Sequence, residues 1–372
     1  MYAELNKESI MMIPRVVLDI LQYRMLGIPK LEYSNNKKIA KQIIKDNSKD
    51  ISIAGKTHFT YMWITDLAVS FKGAQTVLPY SYLEKQLQRI LDESFMLGYV
   101  PTCFSKTHSF NMPFERQDNF PCLIHSLYHL KNNPDYDETN KKEKQNICNI
   151  DKIKTLYKKY MGKYYDFNNN LLQKDAIHDW MDTIKRPSST FSNLFLLNML
   201  KQYEELTGEK TPYESCENAL FKKRWNGNFF IDYDSSGDYL CADANVPVLY
   251  FNLFSKDIQN KIHKSIESSE LLYPIPMKTR EGEYECTFIS SLWARNYHSL
   301  IWPHLGLMYL NGLKKMNLPY KNHLKRLDEH LQHYKNFLEV LHMNGTPFST
   351  PFFVTEHSFS MAAGQYLELV AV

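Results

Sequence analysis

Two aspartates and a tryptophan lie close together in the segment 173–193, just ahead of a strongly apolar run. Asp179 and Asp182 stand on either side of Trp180, and Arg186 follows them. Hydrolysis of a glycosidic bond needs one protonated carboxyl that donates to the leaving oxygen, and one carboxylate that activates water or attacks the sugar. A tryptophan offers a flat platform for the sugar ring. The segment therefore has the residue types of a sugar-cleaving site, although a solvated turn can have the same composition.

Further acidic, basic and aromatic residues of these types occur in the other long connections of the chain. These candidates are Trp63, Asp66, Arg116, Asp118, Asp243, Glu285, Trp293, Arg295, His298, Trp302 and Glu356. Each has a purely structural alternative. An aspartate that precedes a helix often caps it, as Asp66 and Asp118 could. A single tryptophan or histidine is more often part of the core than of a site.

Apolar periodicity predicts about thirteen helices and almost no strand. The predicted helices cover 10–21, 35–46, a segment after 66, 80–97, a segment after 118, 150–160, 191–206, 212–223, 246–253, 256–268, 297–314, 320–342 and 358–370. Only 228–233 has the pattern of a short strand. We therefore predict an all-α fold, with a single domain over 1–372 and a mobile polar insertion around 132–146.

Long connections alternate with short ones along this series of helices. The long connections are 55–66, 104–118, 173–190, 226–245, 281–298 and 344–358, and one polar residue in each recurs every 52 to 64 residues. Six helical hairpins can close into a double ring, the (α/α)6 toroid, in which all long loops emerge at one end. Such a ring predicts a funnel-shaped active site on that face. An open helical solenoid is the alternative, and it would spread the same loops along a groove.

Composition excludes several classes of function. The chain of 372 residues is 44% hydrophobic and 23% charged, and its net charge of +3 is dispersed, so nucleic-acid binding is not indicated. No run approaches the roughly 20 apolar residues of a membrane span. The six cysteines lie far apart, without metal-ligand spacing, so we expect no metal and no cofactor. The N-terminus has no signal-like core, which predicts a cytoplasmic protein, although a mature secreted form would look the same.

Five motifs occur in the same order as motifs of the six-hairpin glycosidases. They are Trp63-Ile-Thr-Asp66, Arg116-Gln-Asp118, Asp179-Trp-Met-Asp182, Tyr297-His298-Ser-Leu-Ile-Trp302-Pro303 and the segment around Glu356. Over residues 55–372 the chain most resembles the amylo-alpha-1,6-glucosidase domain of glycogen debranching enzymes and the related processing alpha-glucosidases. The resemblance implies an inverting glycoside hydrolase that acts on a small alpha-linked glucoside or on the end of an oligosaccharide.

The same resemblance implies a role for each matched residue. Asp182 becomes the general acid and Glu356 the general base, about 6.5–9.5 Å apart with a water between them. The implied substrate-binding residues are Trp63, Asp66, Arg116, Asp118, Asp179, Trp180, Arg186, Tyr297, His298 and Trp302. The physical chemistry agrees, because apolar neighbours of Asp182 favour its protonated form and a helix that follows Glu356 favours an ionised carboxylate. Asp179 is the rival candidate for the acid.

The sequence also departs from the family pattern. Thr65 stands where the family usually has an arginine, and 191–193 lacks an expected acid. The β-rich companion domain often found in these enzymes is absent from this chain. Two other functions therefore stay open on the same fold: a non-catalytic carbohydrate-binding relative, and an activity of the trehalase, invertase or mannosylglycerate-hydrolase type. A terpenoid-type toroid is disfavoured because there is no Asp-Asp-x-x-Asp sequence. The expected partner is a small carbohydrate, and the oligomeric state is left open.

Overall fold

The structure is a computed structural model that describes residues 7–57, 59–112, 114–133, 149–181, 184–284 and 296–371. Thirteen α-helices lie in these ranges, which confirms the all-α prediction. They are α1 (Lys7–Leu26), α2 (Asn36–Asn47), α3 (Ile64–Ala74), α4 (Tyr80–Leu97), α5 (Asn119–Lys131), α6 (Ile150–Tyr164), α7 (Thr190–Thr207), α8 (Tyr213–Arg224), α9 (Ala242–Tyr250), α10 (Lys256–Glu267), α11 (Pro303–Lys315), α12 (Lys321–Tyr334) and α13 (Ser360–Val370). Nearly all of the insertion predicted at 132–146 lies outside the described residues.

Six of these helices form a closed inner ring. In order along the ring, α3 packs on α5, α5 on α7, α7 on α9, α9 on α11 and α11 on α13. The ring is closed because α13 packs on α3. The helices α2, α4, α6, α8, α10 and α12 lie outside the ring, each against an inner neighbour. The arrangement is the predicted (α/α)6 toroid. The contact between α13 and α3 excludes the open solenoid, because a solenoid has no contact between its first and last repeats.

Burial explains which helices are inner and which are outer. Every residue of α9 and the first eleven residues of α11 are buried, as expected for helices that are surrounded on all sides. The outer helix α10 instead buries a single face through Gln259, Ile262 and Ile266. Local signals set its start, because the Ser255 side chain accepts a hydrogen bond from the Ile258 backbone N–H.

Two glycines allow the ring to close where α13 crosses α3. A Cβ atom added to Gly73 would lie 1.8 Å from the carbonyl oxygen of Gly364, and one added to Gly364 would lie 2.4 Å from the Cβ of Ser70. The amide of Gln365 also donates to the Val69 carbonyl oxygen across the same contact. The two helix backbones therefore approach more closely than any side chain would permit.

Two predicted helices have different ends in the structure. The predicted helix 320–342 stops at Tyr334, because Lys335 adopts a left-handed conformation with φ 52° and the chain then runs in extended form. In that extended segment Leu338 pairs with His357 and Leu341 with Ile301. The predicted helix 297–314 begins only at Pro303, and Tyr297–Ser299 forms a separate 3-10 turn.

The strands also differ from the prediction. The described residues contain β1 (Met62–Trp63), β2 (Cys103–Phe104) and β3 (Ser109–Phe110) in one antiparallel sheet, and β4 (Tyr165–Asp166) paired with β5 (Leu171–Leu172) in another. The strand predicted at 228–233 is wrong, since that segment forms only one bridge, between Trp225 and Phe230. Strands of two residues are too short to show an alternating pattern. None of the described helices is long and apolar enough to cross a membrane.

Candidate active site

A pocket lies at the end of the ring where the inner helices begin. It encloses about 490 Å³, partly open to solvent. Its described lining consists of Phe59, Trp63, Thr65, Asp66, Arg116, Trp180, Tyr297, His298, Trp302, His304, Glu339, Phe359 and Met361. Seven of the residues predicted to bind substrate are therefore brought together, although they come from segments more than 200 positions apart. This is the arrangement that a ring with all long loops on one face predicts.

Helix dipoles converge on this pocket. Residues near the N-termini of α3, α11 and α13 line it, namely Thr65, His304 and Met361. Each helix N-terminus carries a partial positive charge, which favours nearby carboxylates. Asp66 in the first turn of α3 and Asp243 in the first turn of α9 occupy such positions.

One wall of the pocket is a cluster of aromatic rings around Trp180. Its ring meets Trp302 edge-on at 5.0 Å between centroids and His304 edge-on at 5.4 Å. His298 stacks on Trp302 at 5.5 Å with the two planes 12° apart. Burial lowers the pKa of His304 to about 3, so this imidazole is neutral near neutral pH. The wall therefore consists of aromatic rings and offers flat faces to a ring-shaped ligand.

The loop before α3 supplies the opposite wall. Phe59 packs edge-on against Trp63, with 5.4 Å between the ring centroids. The indole N–H of Trp63 is buried, and no described residue accepts a hydrogen bond from it. A buried donor without a partner is unfavourable unless a ligand or water accepts its hydrogen bond. Trp63 is therefore suited to donate to a ligand hydroxyl group.

Arg116 lies beside Thr65 in the pocket lining. Its guanidinium donates to the Thr65 hydroxyl at 2.7 Å and holds both carboxylate oxygens of Asp118, at 3.0 and 2.7 Å. Asp118 is fully buried, supports Arg116 and is not part of the described lining, and its predicted contact with substrate stays a prediction. Neither the Asp118 nor the Asp66 side chain caps a helix.

Asp66 is half-buried and lines the pocket beside Arg116. Burial raises the pKa of Asp66 to about 7, and the nearby carboxylates of Glu356 and Asp118 act in the same direction, whereas the charge of Arg116 opposes the shift. Asp66 can therefore be protonated near neutral pH and act as a hydrogen-bond donor. A carboxyl group that can donate as well as accept suits the recognition of sugar hydroxyls.

Asp179 and Arg186, two of the residues predicted to bind substrate, are not part of the described lining of the pocket. Both are 0% exposed, and so are Asp232 and Asp243, the other members of their cluster. The Arg186 guanidinium donates to Asp179 at 2.6 Å, to Asp232 at 3.1 Å and to Asp243. The four side chains lie behind the pocket wall. Buried charges are unfavourable unless they are paired, and here the guanidinium and the carboxylates are partners of one another.

This cluster is connected to the pocket through Trp180. The Trp180 indole N–H donates to a carboxylate oxygen of Asp243 at 3.2 Å, so the platform and the cluster are held together. Burial raises the pKa of Asp243 to about 6 despite the opposing charge of Arg186, and it also raises the pKa of Asp232. Asp232 is not among the candidate residues predicted from the sequence. The only feature of the sequence that could have indicated it is its place in a long loop.

The predicted general base, Glu356, is fully buried and is not part of the described lining. Its two carboxylate oxygens accept hydrogen bonds from the backbone N–H groups of Thr57, at 2.8 Å, and Phe59, at 2.9 Å. The carboxylate that does line the pocket nearby belongs to Glu339. The other lining residues that sequence analysis missed are Phe59, His304, Phe359 and Met361.

Four candidates fall outside the described residues. They are Asp182, Glu285, Trp293 and Arg295. In the sequence, Asp182 follows Trp180 and Met181. Within the described ranges, no group of three or more His, Cys, Asp and Glu side chains is placed to hold a metal ion.

No protein-family model and no curated protein matches this sequence. Solved structures do match the fold. A rhamnosidase from Klebsiella oxytoca with rhamnose bound superposes with a TM-score of 0.65 at 11% identity, over 92% of this chain and 65% of that protein's chain. A GH63 mannosylglycerate hydrolase from Thermus thermophilus in complex with glucose gives 0.64 at 11% identity, over 91% of this chain and 100% of the other.

A GH78 family rhamnosidase of Bacillus sp. GL1 gives a TM-score of 0.62 at 13% identity, over 89% of this chain and 34% of that one. This chain thus spans less than two thirds of either rhamnosidase and the full length of the mannosylglycerate hydrolase. At such low identity the likeness shows the shared helical toroid. The finer resemblance to the debranching-enzyme domain stays a prediction.

Proposed function

We propose that the protein is an inverting glycoside hydrolase that cleaves the end of a small alpha-linked glucoside or oligosaccharide. The observation that carries the proposal is the pocket at the end of the ring where the inner helices begin. It combines aromatic walls with the carboxyl groups of Asp66 and Glu339. Three similar solved structures of the same fold are named as a rhamnosidase, a mannosylglycerate hydrolase and another rhamnosidase, which supports glycosidic-bond hydrolysis.

The pocket suits the terminal ring of a carbohydrate. It is concave, and aromatic side chains make up much of its described lining. Trp180 and Trp302 offer ring faces, while Arg116 and Trp63 offer donors for hydroxyl groups. The aromatic wall and the small number of polar groups are typical of a site that binds a ring-shaped ligand.

Within this proposal, Asp182 is the general acid that protonates the leaving oxygen. The aromatic and apolar residues that precede it in the chain, Trp180 and Met181, favour the protonated form by desolvation. The family resemblance assigns the general base to Glu356. Inversion requires that base to act on a water molecule on the opposite face of the sugar ring.

The proposal is tested by incubating the purified protein with mannosylglycerate and with a panel of alpha-linked disaccharides that includes trehalose and sucrose, and following the anomeric protons by NMR. We expect release of a sugar whose anomeric configuration is the opposite of that in the substrate. The Asp182→Asn variant is expected to lose about 10²–10⁴-fold in turnover, the contribution of a positioned general acid. Asp175→Asn is the matched control, because Asp175 is exposed in the same loop.

A second candidate function is carbohydrate binding without turnover. It is favoured by one observation, the direction of the Glu356 carboxylate, which is bound to the backbone of the first long loop instead of facing the pocket. In that case calorimetry would detect binding of a sugar, and no member of the panel would be hydrolysed. Retained configuration in the product, or full activity of Asp182→Asn, would contradict the leading proposal.

A further inference from the structure

Two glutamates meet where the chain segment after α12 pairs with the segment before α13. The Glu339 backbone N–H donates to the Glu356 carbonyl oxygen at 3.0 Å, and the Glu356 backbone N–H donates to the Glu339 carboxylate at 3.3 Å. Leu338 and His357 form a bridge beside them. The two residues are thus neighbours in an antiparallel pairing, and their side chains have different surroundings.

The Glu356 side chain forms hydrogen bonds with the backbone of the first long loop. Each of its oxygens accepts one N–H group, from Thr57 and from Phe59. Gly55 leaves the space for it, because a Cβ atom added there would lie 2.4 Å from the Glu356 carboxyl carbon. The first and last long loops of the ring are joined by this carboxylate. Phe59, which it holds, lines the pocket and packs on Trp63.

The Glu339 side chain instead belongs to the pocket. It is 4% exposed and lies in the lining together with Trp302, Phe359 and Met361. A general base must come within hydrogen-bond reach of the water that attacks the sugar. Glu339 lines the pocket, so it lies where such a water molecule would be. Glu356 lies behind it, with 0% exposure and a backbone N–H on each oxygen.

We propose that Glu339 is the general base of the hydrolysis and that Glu356 is a positioning residue. This inference rests on the proposed glycoside hydrolase function and changes one of its assignments. In the step, the Glu339 carboxylate takes a proton from a water molecule while the water oxygen bonds to the anomeric carbon. The bond from that carbon to the leaving oxygen breaks with its electron pair, and the leaving oxygen receives a proton from the general acid.

Glu356 acts through the loop it holds. Without its carboxylate, the backbone N–H groups of Thr57 and Phe59 lose their acceptors, and Phe59 is released from its place in the pocket wall. Such a change weakens binding of the substrate and leaves the chemical step in place. A base and a positioning residue therefore give different kinetic signatures, since loss of a base lowers kcat whereas loss of the loop contact mainly raises KM.

The test compares Glu339→Gln, Glu339→Ala, Glu356→Gln and Glu356→Ala, with the exposed Glu329→Gln as a matched control. Turnover is measured on the substrate found in the disaccharide panel, with and without sodium azide. Azide attacks the anomeric carbon without needing a base. Sugar binding is followed by tryptophan fluorescence, because Trp63, Trp180 and Trp302 line the pocket.

We expect Glu339→Gln to bind sugar like the wild type and to lose about 10²–10⁴-fold in kcat. Azide should restore turnover of Glu339→Ala and yield a glycosyl azide of inverted configuration. Glu356→Gln should show a raised KM and faster proteolysis in 55–59, and azide should not restore Glu356→Ala. The inference is overturned if azide rescues Glu356→Ala instead, or if Glu339→Gln keeps wild-type kcat. A wild-type protein that hydrolyses no member of the panel refutes the proposed function, and this inference with it.

Discussion

Replacing Arg186 with methionine removes the guanidinium that contacts all three aspartates of the buried cluster. The Arg186 side chain is 0% exposed, and it donates to Asp179 at 2.6 Å, to Asp232 at 3.1 Å and to Asp243. Methionine is unbranched and fills the space of the aliphatic part of the arginine side chain, although it is shorter and leaves out the guanidinium. The substitution therefore tests the charge interactions of the cluster more than its packing.

The expected loss of stability is large. Removing one partner of a buried ion pair destabilises a protein by about 3–5 kcal/mol. Here three buried carboxylates lose the same partner, so we expect the upper end of that range near pH 8. This is a substantial share of the roughly 5–15 kcal/mol that holds a folded protein together. Arg89→Met is the matched control, since Arg89 and Glu93 form a partly exposed pair that contributes about 0.2–1 kcal/mol.

The effect also depends on pH in a defined direction. Burial already raises the pKa of Asp243 to about 6, and loss of Arg186 removes the charge that opposes this shift. The folded variant therefore binds more protons than its unfolded chain. Its stability falls as the pH rises from about 4, where an unfolded aspartate titrates, through the raised pKa of Asp243. The difference in the free energy of unfolding between wild type and Arg186→Met should be smaller near about pH 5.5 than near about pH 8, by up to about 1.4 kcal/mol per pH unit and per group.

Urea unfolding at a series of pH values, followed by tryptophan fluorescence and circular dichroism, measures this difference. The double variant Arg186→Met/Asp243→Asn should be more stable than Arg186→Met alone near pH 8, because it carries one buried charge fewer. A loss below about 1 kcal/mol, or a loss that is the same at every pH, would show that the cluster is hydrated or differently paired. Either result would refute the reasoning.

Two further predictions concern the pocket and the ring. Burial raises the pKa of Asp66 to about 7 against the charge of Arg116, so the folded protein holds a proton that the unfolded chain releases near pH 4. Between these pH values Asp66→Asn should gain stability relative to the wild type as the pH rises, by up to about 1.4 kcal/mol per pH unit, and a flat difference in urea unfolding would contradict this. Gly73→Ala should destabilise by about 3 kcal/mol or more, because its Cβ atom would lie 1.8 Å from the Gly364 carbonyl oxygen. The control Gly162→Ala, with open space around the added atom, should be neutral or stabilising by up to about 1 kcal/mol in thermal unfolding.

The sequence predicted the toroid because its signals are local and repeated. Apolar periodicity shows helices one at a time, and the alternation of long and short connections shows hairpins. Closure of the ring could not be predicted in the same way. It depends on the contact between Gly73 and Gly364, and neither glycine carries a signal of its distant partner. Only the structure distinguishes the closed ring from an open solenoid.

Several of the pocket residues lie next to helix starts, whereas others lie in irregular segments that the sequence does not mark. Trp63, Asp66 and Trp302 precede or begin helices that point at the pocket, so their place in the chain indicated their place in space. Glu339 was missed because the apolar pattern of 320–342 predicted one long helix. The helix ends at Tyr334, and Glu339 lies in the extended segment beyond it.

Arg186 and Asp179 illustrate a second limit. Their residue types and their loop are those of a ligand-binding site, and the sequence does not show which side of the loop faces the pocket. The side that faces away from the pocket is determined by Asp232 and Asp243, which come from two other parts of the chain. They supply the carboxylates that pair with the buried Arg186. Residues that orient a site are therefore difficult to separate from residues that contact its ligand.

Because it joins the two ends of the ring, we expect the contact between α3 and α13 to form late in folding. The hydrogen bond from Gln365 to Val69 joins residues 296 positions apart, whereas neighbouring inner helices are joined through much shorter segments. Contacts between distant residues form slowly, because a long loop must close before they contribute. The five earlier inner helices can therefore pack on one another while the apolar sides of α3 and α11 still face water. Interactions that form after the transition state mainly slow unfolding, so we expect loss of this contact to shorten the lifetime of the closed ring more than it slows folding.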